Sequence, residues 1–206
     1  FVYHISKIHQ KISVQTMLLV GVVTGAILAA TIMFITSIAG PDKVHGIIFW
    51  LMGNLGSEEY PMLLIVSFYV LAGILILLYH ARGLNLLALG EESAAQLGLD
   101  VERAKKVAFI GASLITGAAV SVSGLIGFVG ILIPHLLRMV IGSDHRLLLP
   151  VAGLSGAIYL ALADTIARTL MAPTEIPVGV ITAICGGPFF IYLLKRKKYK
   201  IGRATI

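Results

Sequence analysis

Charge is the scarcest commodity in this chain. Only 13% of its 206 residues are Asp, Glu, Lys or Arg, against ~25% in an ordinary soluble domain. A surface that sparse cannot be solvated all round, which excludes a water-soluble globular protein. Cysteine is nearly absent too. The single Cys185 lies inside an apolar run, so neither a disulfide framework nor a cysteine metal site can form. Enzyme signatures are missing: there is no HExxH, no GxSxG, and no GxxxxGK[ST] loop to cradle a nucleotide phosphate. The six histidines (His4, His9, His45, His80, His135 and His145) show no metal-ligand spacing. Neither a metal nor a cofactor is expected.

What the chain has instead is apolar length. Hydrophobic residues make up 58% and mean hydropathy is +0.96. A spanning helix needs ~20 mostly apolar residues. Thr16–Ala39, Pro61–Tyr79, Val107–Ser123, Leu125–Ile141, Leu147–Met171 and Ile176–Leu194 give six such runs. The expected class is therefore an all-α polytopic membrane protein forming one transmembrane domain over 1–206. Gly46–Met52 is apolar but too short to span, and with Trp50 in it an interfacial or re-entrant helix is expected. The opening FVYHISKIHQK has no leading Met and no cleavable apolar segment. It reads as the interior of a longer protein whose first helices precede it.

The net charge of +6 does not point to nucleic acid, because the basic residues gather at the ends of apolar runs. With the first residues in the cytoplasm, Lys7, Lys11, Arg82, Arg103, Lys105, Lys106, Arg146, Lys195, Arg196, Lys197, Lys198, Lys200 and Arg203 all fall inside, and only Lys43 in an outer loop. That bias sets the orientation of a membrane protein. Asp42, Glu58, Glu59 and Glu175 take the outer connections.

Between the second and third runs lies a polar island, 83–106, with sequence GLNLLALGEESAAQLGLDVERAKK. Glu91 and Glu92 suit the first turn of a helix, where the dipole favours acids. Gly98 is placed as a left-handed C′ residue, and Asp100 as the cap of a second short helix. A mere connector would not need this much ordered helix, so the island is expected to meet a soluble partner.

Within the runs, Gly21 with Gly25, and Gly117 with Ser121, form small-residue faces that let helix backbones approach closely. The glycines of SGLIGFVG, 123–130, suggest a tight turn or broken helix, tolerable only where protein or water covers the freed backbone. His135 follows Pro134 near the middle of a run, and packing or cavity lining suits it better than ligation. Asp164 and Arg168 share a helix face. They either neutralise each other, or Arg168 near the outer end offers its fork to a carboxylate on a soluble partner.

GEESAAQLGLDVERAKK, GLIGFVGILIPHLLRMVIGSDHRLLLP and LADTIARTLMAPTEIPVGVITAICGGPFFIYLLKRK, with FWLMGNLG after the first run, together resemble the permease subunits of ATP-binding cassette importers for ferric siderophores, haem and cobalamin. The resemblance covers essentially the whole chain. It implies ten spanning helices per subunit, of which these are the last six, assembled as a homodimer with its pathway at the subunit interface. It implies that Gly90, Glu91, Glu92, Ala94, Leu97 and Gly98 form the cytoplasmic coupling segment that fits a cleft on a separate ATPase. It further implies that Arg168 pairs with a glutamate on an external substrate-binding protein, periplasmic or lipid-anchored. A cytoplasmic gate would fall in the loop Ser13–Thr16, where Val14 and Gln15 replace the family's usual small polar residues. The setting would be the bacterial or archaeal cytoplasmic (inner) membrane, with no chemistry performed by the permease itself.

The rival reading is a secondary transporter driven by an ion gradient. It asks for intramembrane acids, and only Asp164 lies inside a run. An intramembrane enzyme would need a nucleophile–base pair or a metal cluster, and neither is present in the sequence.

Overall fold

The structure, a computed structural model, describes residues 5, 7–8, 11–12, 14–56, 59–172 and 174–203. Two short strands, β1 (Lys7–Ile8) and β2 (Lys11–Ile12), pair antiparallel. The rest of the described chain is helices and their connections. These are α1 (Val14–Ile38), α2 (Pro41–Leu51), α3 (Tyr60–Tyr79), α4 (Ala81–Leu87), α5 (Glu91–Gln96), α6 (Val101–Ser123), α7 (Val129–Ile141), α8 (His145–Thr169) and α9 (Val178–Arg203).

Four helices, α1, α3, α6 and α8, are long and apolar enough to cross a bilayer. The other two expected runs are shorter as helices. Helix α7 has 13 residues, about 20 Å at the α-helical rise, well under a hydrocarbon core of ~30 Å. In α9 the apolar part ends at Leu193. The expected run from Leu125 loses its first four residues because 124–128 are not helical. This is the break anticipated from the glycines of 123–130. The expected re-entrant segment at Gly46–Met52 is the C-terminal half of α2, which starts earlier, with Pro41 at its N-terminus.

Small residues make the core. Ala81, Ala94, Ala163 and Ala167 are buried, and the largest fully buried side chains are only Val178 and Thr182. Lipid gives no hydrophobic drive for helix association, so close packing of small residues must supply it. Apolar bulk points outward instead: Leu18, Val22, Phe34, Leu64 and Phe68 are all exposed on α1 and α3.

Among the described residues, the close approach falls elsewhere than at the small-residue faces. Cβ atoms added at Gly21, Gly25 or Gly117 would meet nothing within 4 Å. Instead α3 packs on α6 through Gly73 and Gly111. A Cβ on Gly73 would stand 2.5 Å from Ile115 Cγ1 and 3.0 Å from the Gly111 carbonyl. A GxxxG pair marks a helix that can be approached closely; which helix comes is decided by the fold.

At the broken stretch, three backbones meet. Asn54 N–H donates to the Ser123 carbonyl at 3.0 Å. A Cβ on Gly124 would collide with the Trp50 carbonyl, and one on Gly179 with that of Met52. The loop after α2, the loop before α7 and the start of α9 thus cover one another. Phe128 takes left-handed φ 68°, at a cost of about 1–2 kcal/mol, and its side chain occupies the space where Gly186 has no Cβ.

Candidate coupling and docking sites

The island 83–106 folds as two short helices and the overhang of a third. Helix α4 was not anticipated. The second expected short helix is not separate, since α6 runs unbroken from Val101 to Ser123. Its first turn and a half is polar and continues directly into the apolar run, because nothing between Lys106 and Val107 interrupts helical hydrogen bonding. Asp100 caps it, accepting from Arg103 N–H at 3.0 Å.

Helix α5 has six residues, far below the ~12–15 needed for self-supporting helicity in water. Its ends and its neighbours hold it. Ala94 is fully buried, and the helix closes in a Schellman turn. Gly98 N–H donates to the Ala95 carbonyl and Leu99 N–H to that of Ala94, both at 3.0 Å, with Gly98 at φ 83°. Glu91 is not a free acid. Its Oε2 lies 2.5 Å from Lys105 Nζ, whose side chain is only 12% exposed and also meets Glu102 at 3.5 Å. The ion pair ties α5 to α6. Outward, α5 offers Glu92, Ser93, Ala95 and Gln96, with the exposed leucines Leu89 and Leu97 at its ends, and the Glu91 side chain is still 53% exposed. Leucines edged by carboxylates suit a partly apolar cleft on another protein.

A second junction went unread in the sequence. Asn85 on α4 donates from Nδ2 to Asp144 Oδ1 at 2.6 Å. Its own Oδ1 accepts from His145 N–H at 2.8 Å and lies 2.7 Å from His145 Nδ1. Asp144 also caps α8, accepting from Arg146 N–H at 3.0 Å. The Asn85 amide bond first, and the Arg146 N–H second, hold the Asp144 carboxyl below its usual range. The available signal was the acid just before the apolar periodicity of α8, the pattern of an N-cap. Nothing local in the sequence points from there to Asn85, about 60 residues earlier.

At the other end of α8, Arg168 is engaged within the chain. Its Nε donates to Asp164 Oδ2 at 2.8 Å and Nη2 to the Leu55 carbonyl at 3.0 Å, while Nη1 lies 3.9 Å from Glu175. Its side chain is still 39% exposed. The Leu55 carbonyl that it holds lies between Asn54 and Gly56, which line a cleft of about 420 Å³ together with Trp50 and Ser123. Both expectations for Arg168 are thus compatible with one geometry: it neutralises Asp164 and keeps donors at the surface.

Val14 and Gln15 do not lie in a loop. They open the first turn of α1, where helical geometry already applies. Gln15 is exposed, and Ser13 lies outside the described residues. His135 is exposed on α7 and lines a cleft with Arg138, His145 and Leu148.

The model of the FecCD transport family matches residues 1–196. The chain belongs to the FecCD transport family. It is 44% identical over 182 residues to the hemin transport system permease protein HmuU of Yersinia pestis, covering 88% of this chain and 54% of that protein. It is 42% identical over 199 residues to the cobalamin import system permease protein BtuC of Halobacterium salinarum, covering 97% and 53%. A solved transporter of the metal-chelate ATP-binding cassette type, in an inward-facing conformation, superposes with a TM-score of 0.81 at 36% identity. That match covers 89% of this chain and 60% of the solved one. The chain thus spans about half the length of the curated relatives it matches. Its apolar helices and its relatives together make it part of a multi-pass membrane protein, a membrane component rather than a catalytic subunit.

Proposed function

We propose that this FecCD-family chain is the C-terminal part of a ten-helix permease. Two such permeases form the pathway of an importer for haem, a corrinoid or a ferric siderophore in the cytoplasmic membrane of a bacterium or archaeon. Energy comes from a separate ATP-binding cassette ATPase that grips the part of 83–106 formed by Gly90, Glu91, Glu92, Ala94, Leu97 and Gly98. Closure of the ATPase around nucleotide moves the gripped helix, and the permease helices follow as rigid bodies. A substrate-binding protein delivers cargo at the outer face, meeting Arg168. Val14 and Gln15, at the cytoplasmic start of α1, form the gate.

One observation carries this reading: α5, too short to stand alone, is braced against α6 while Glu92 on it and Leu89 and Leu97 flanking it face outward. A loop with no partner has no use for such bracing. The ion-coupled alternative is disfavoured by the 2.8 Å bond from Arg168 to Asp164, its one candidate acid.

Glu92→Arg is the clean test, because Glu91→Arg would also break the pair with Lys105. The variant should remain folded and membrane-inserted yet recover much less ATPase in a pull-down. Undiminished recovery would refute the docking role.

A further inference from the structure

Asn85 lies in the polar island but away from the surface that α5 presents. It joins α4 to the N-terminus of α8 through three hydrogen-bonding contacts, to Asp144 Oδ1, His145 N–H and His145 Nδ1. Helix α4 in turn packs against α5, α6 and α8. From the clamp, α8 runs unbroken for 25 residues, about 37 Å of helix. Its last turn carries Arg168, bonded to the loop at Leu55 beside the outer cleft. One rigid element therefore links the braced island at one end to the outer vestibule at the other.

Given the importer reading above, on which this rests, we propose that Asn85 is a positioning residue that fastens the coupling segment to α8, so that displacement of α5 by the ATPase reaches Arg168 and the outer loops. The chemistry suits the task. A side-chain amide donates and accepts at once, so one residue grips the cap residue and the first helical residue of α8 together. Helices joined this way shift as a unit, because packed contacts switch between discrete arrangements rather than deform continuously.

The pairing also supplies its own control. In Asn85→Asp a second carboxylate faces Asp144, so that contact becomes repulsive. In the double variant Asn85→Asp with Asp144→Asn, the amide and the carboxylate exchange places. The amide now on the α8 cap can donate to the carboxylate now on α4, and that carboxylate still accepts from His145 N–H. The cap itself is preserved, since asparagine caps a helix as well as aspartate.

The experiment uses the full-length permease in membranes with its ATPase, in a Cys185→Ser background. Leu170→Cys, at the exposed outer end of α8, reports motion through its rate of maleimide labelling with and without ATP and vanadate. The parent should show a nucleotide-dependent change in rate. Asn85→Asp should lose that change while capturing as much ATPase as the parent, and the double variant should regain it. A retained response in Asn85→Asp, lost ATPase capture, or a double variant that stays unresponsive would each overturn the clamp. A parent that captures no ATPase and shows no response would instead overturn the importer reading, and the clamp with it.

Discussion

Gly98 offers the sharpest quantitative test of the coupling segment. It sits at φ 83° with nothing within 4 Å of an added Cβ. Substitution there introduces no collision, and its whole effect is backbone strain. For an L-residue other than Asn or Asp, the left-handed region costs about 1–2 kcal/mol. That strain falls on the Schellman turn, whose bonds from Gly98 and Leu99 to Ala95 and Ala94 close α5. With one decade per ~1.4 kcal/mol, Gly98→Ala should speed amide exchange at Leu97, Gly98 and Leu99 by roughly 5- to 30-fold. Gly98→Asn, whose short polar side chain tolerates this conformation, should fall well below that. Hydrogen exchange resolved over 89–100 in detergent or nanodiscs reads both variants against exchange in α3 as an internal reference. Equal effects of Ala and Asn, or no effect of either, would refute the reasoning, since the turn would then not depend on left-handed geometry.

Arg168→Glu should weaken capture of the substrate-binding protein, with recovery when a charge is reversed on that protein. Unchanged affinity accompanied by reduced thermal stability would mean that Arg168 serves only Asp164 and Leu55. A pH-dependent contribution is expected at the Asn85–Asp144 junction. Because the folded Asp144 carboxyl lies below its usual range, its stabilising contribution is complete above the ordinary carboxylate value of ~3.9. It is lost as pH falls through the lower folded value. The difference in melting temperature between wild type and Asp144→Asn should therefore change below ~4, and also where His145 titrates, because that ring, lowered first by burial and then by Arg138, is held up by the Asp144 charge. A difference that stays constant below ~4 would contradict the assignment.

Much of the local structure was legible because its causes are local. Apolar length alone marks α1, α3, α6 and α8. Asp100 and Gly98 were readable as caps because an N-cap acid and a left-handed C′ glycine act within four residues of themselves. The glycines of 123–130 announced a break for the same reason. Errors arose where a boundary depended on the neighbouring element: α6 absorbed the second short helix, and α7 began only at Val129.

Non-local pairing was out of reach. Gly21 and Gly25 satisfy the small-residue pattern and meet no described neighbour, while Gly73 and Gly111, in different helices with no shared motif, let α3 and α6 approach closely. Glu91 was legible only as a first-turn acid, and its ion pair with Lys105 comes from the fold.

Composition and periodicity by themselves determined that this chain lies in a membrane, that its basic residues gather at the ends of apolar runs, and that a polar module interrupts those runs. These properties come from transfer of side chains between water and lipid, which depends on each residue and its near neighbours. Only the tertiary structure decided that Asn85 holds Asp144 and His145, that Arg168 reaches both Asp164 and Leu55, and that Lys105 braces α5. Each of these joins groups brought together by the fold, and a hydrogen bond or ion pair forms at ~3 Å, a distance set by the packing of whole helices.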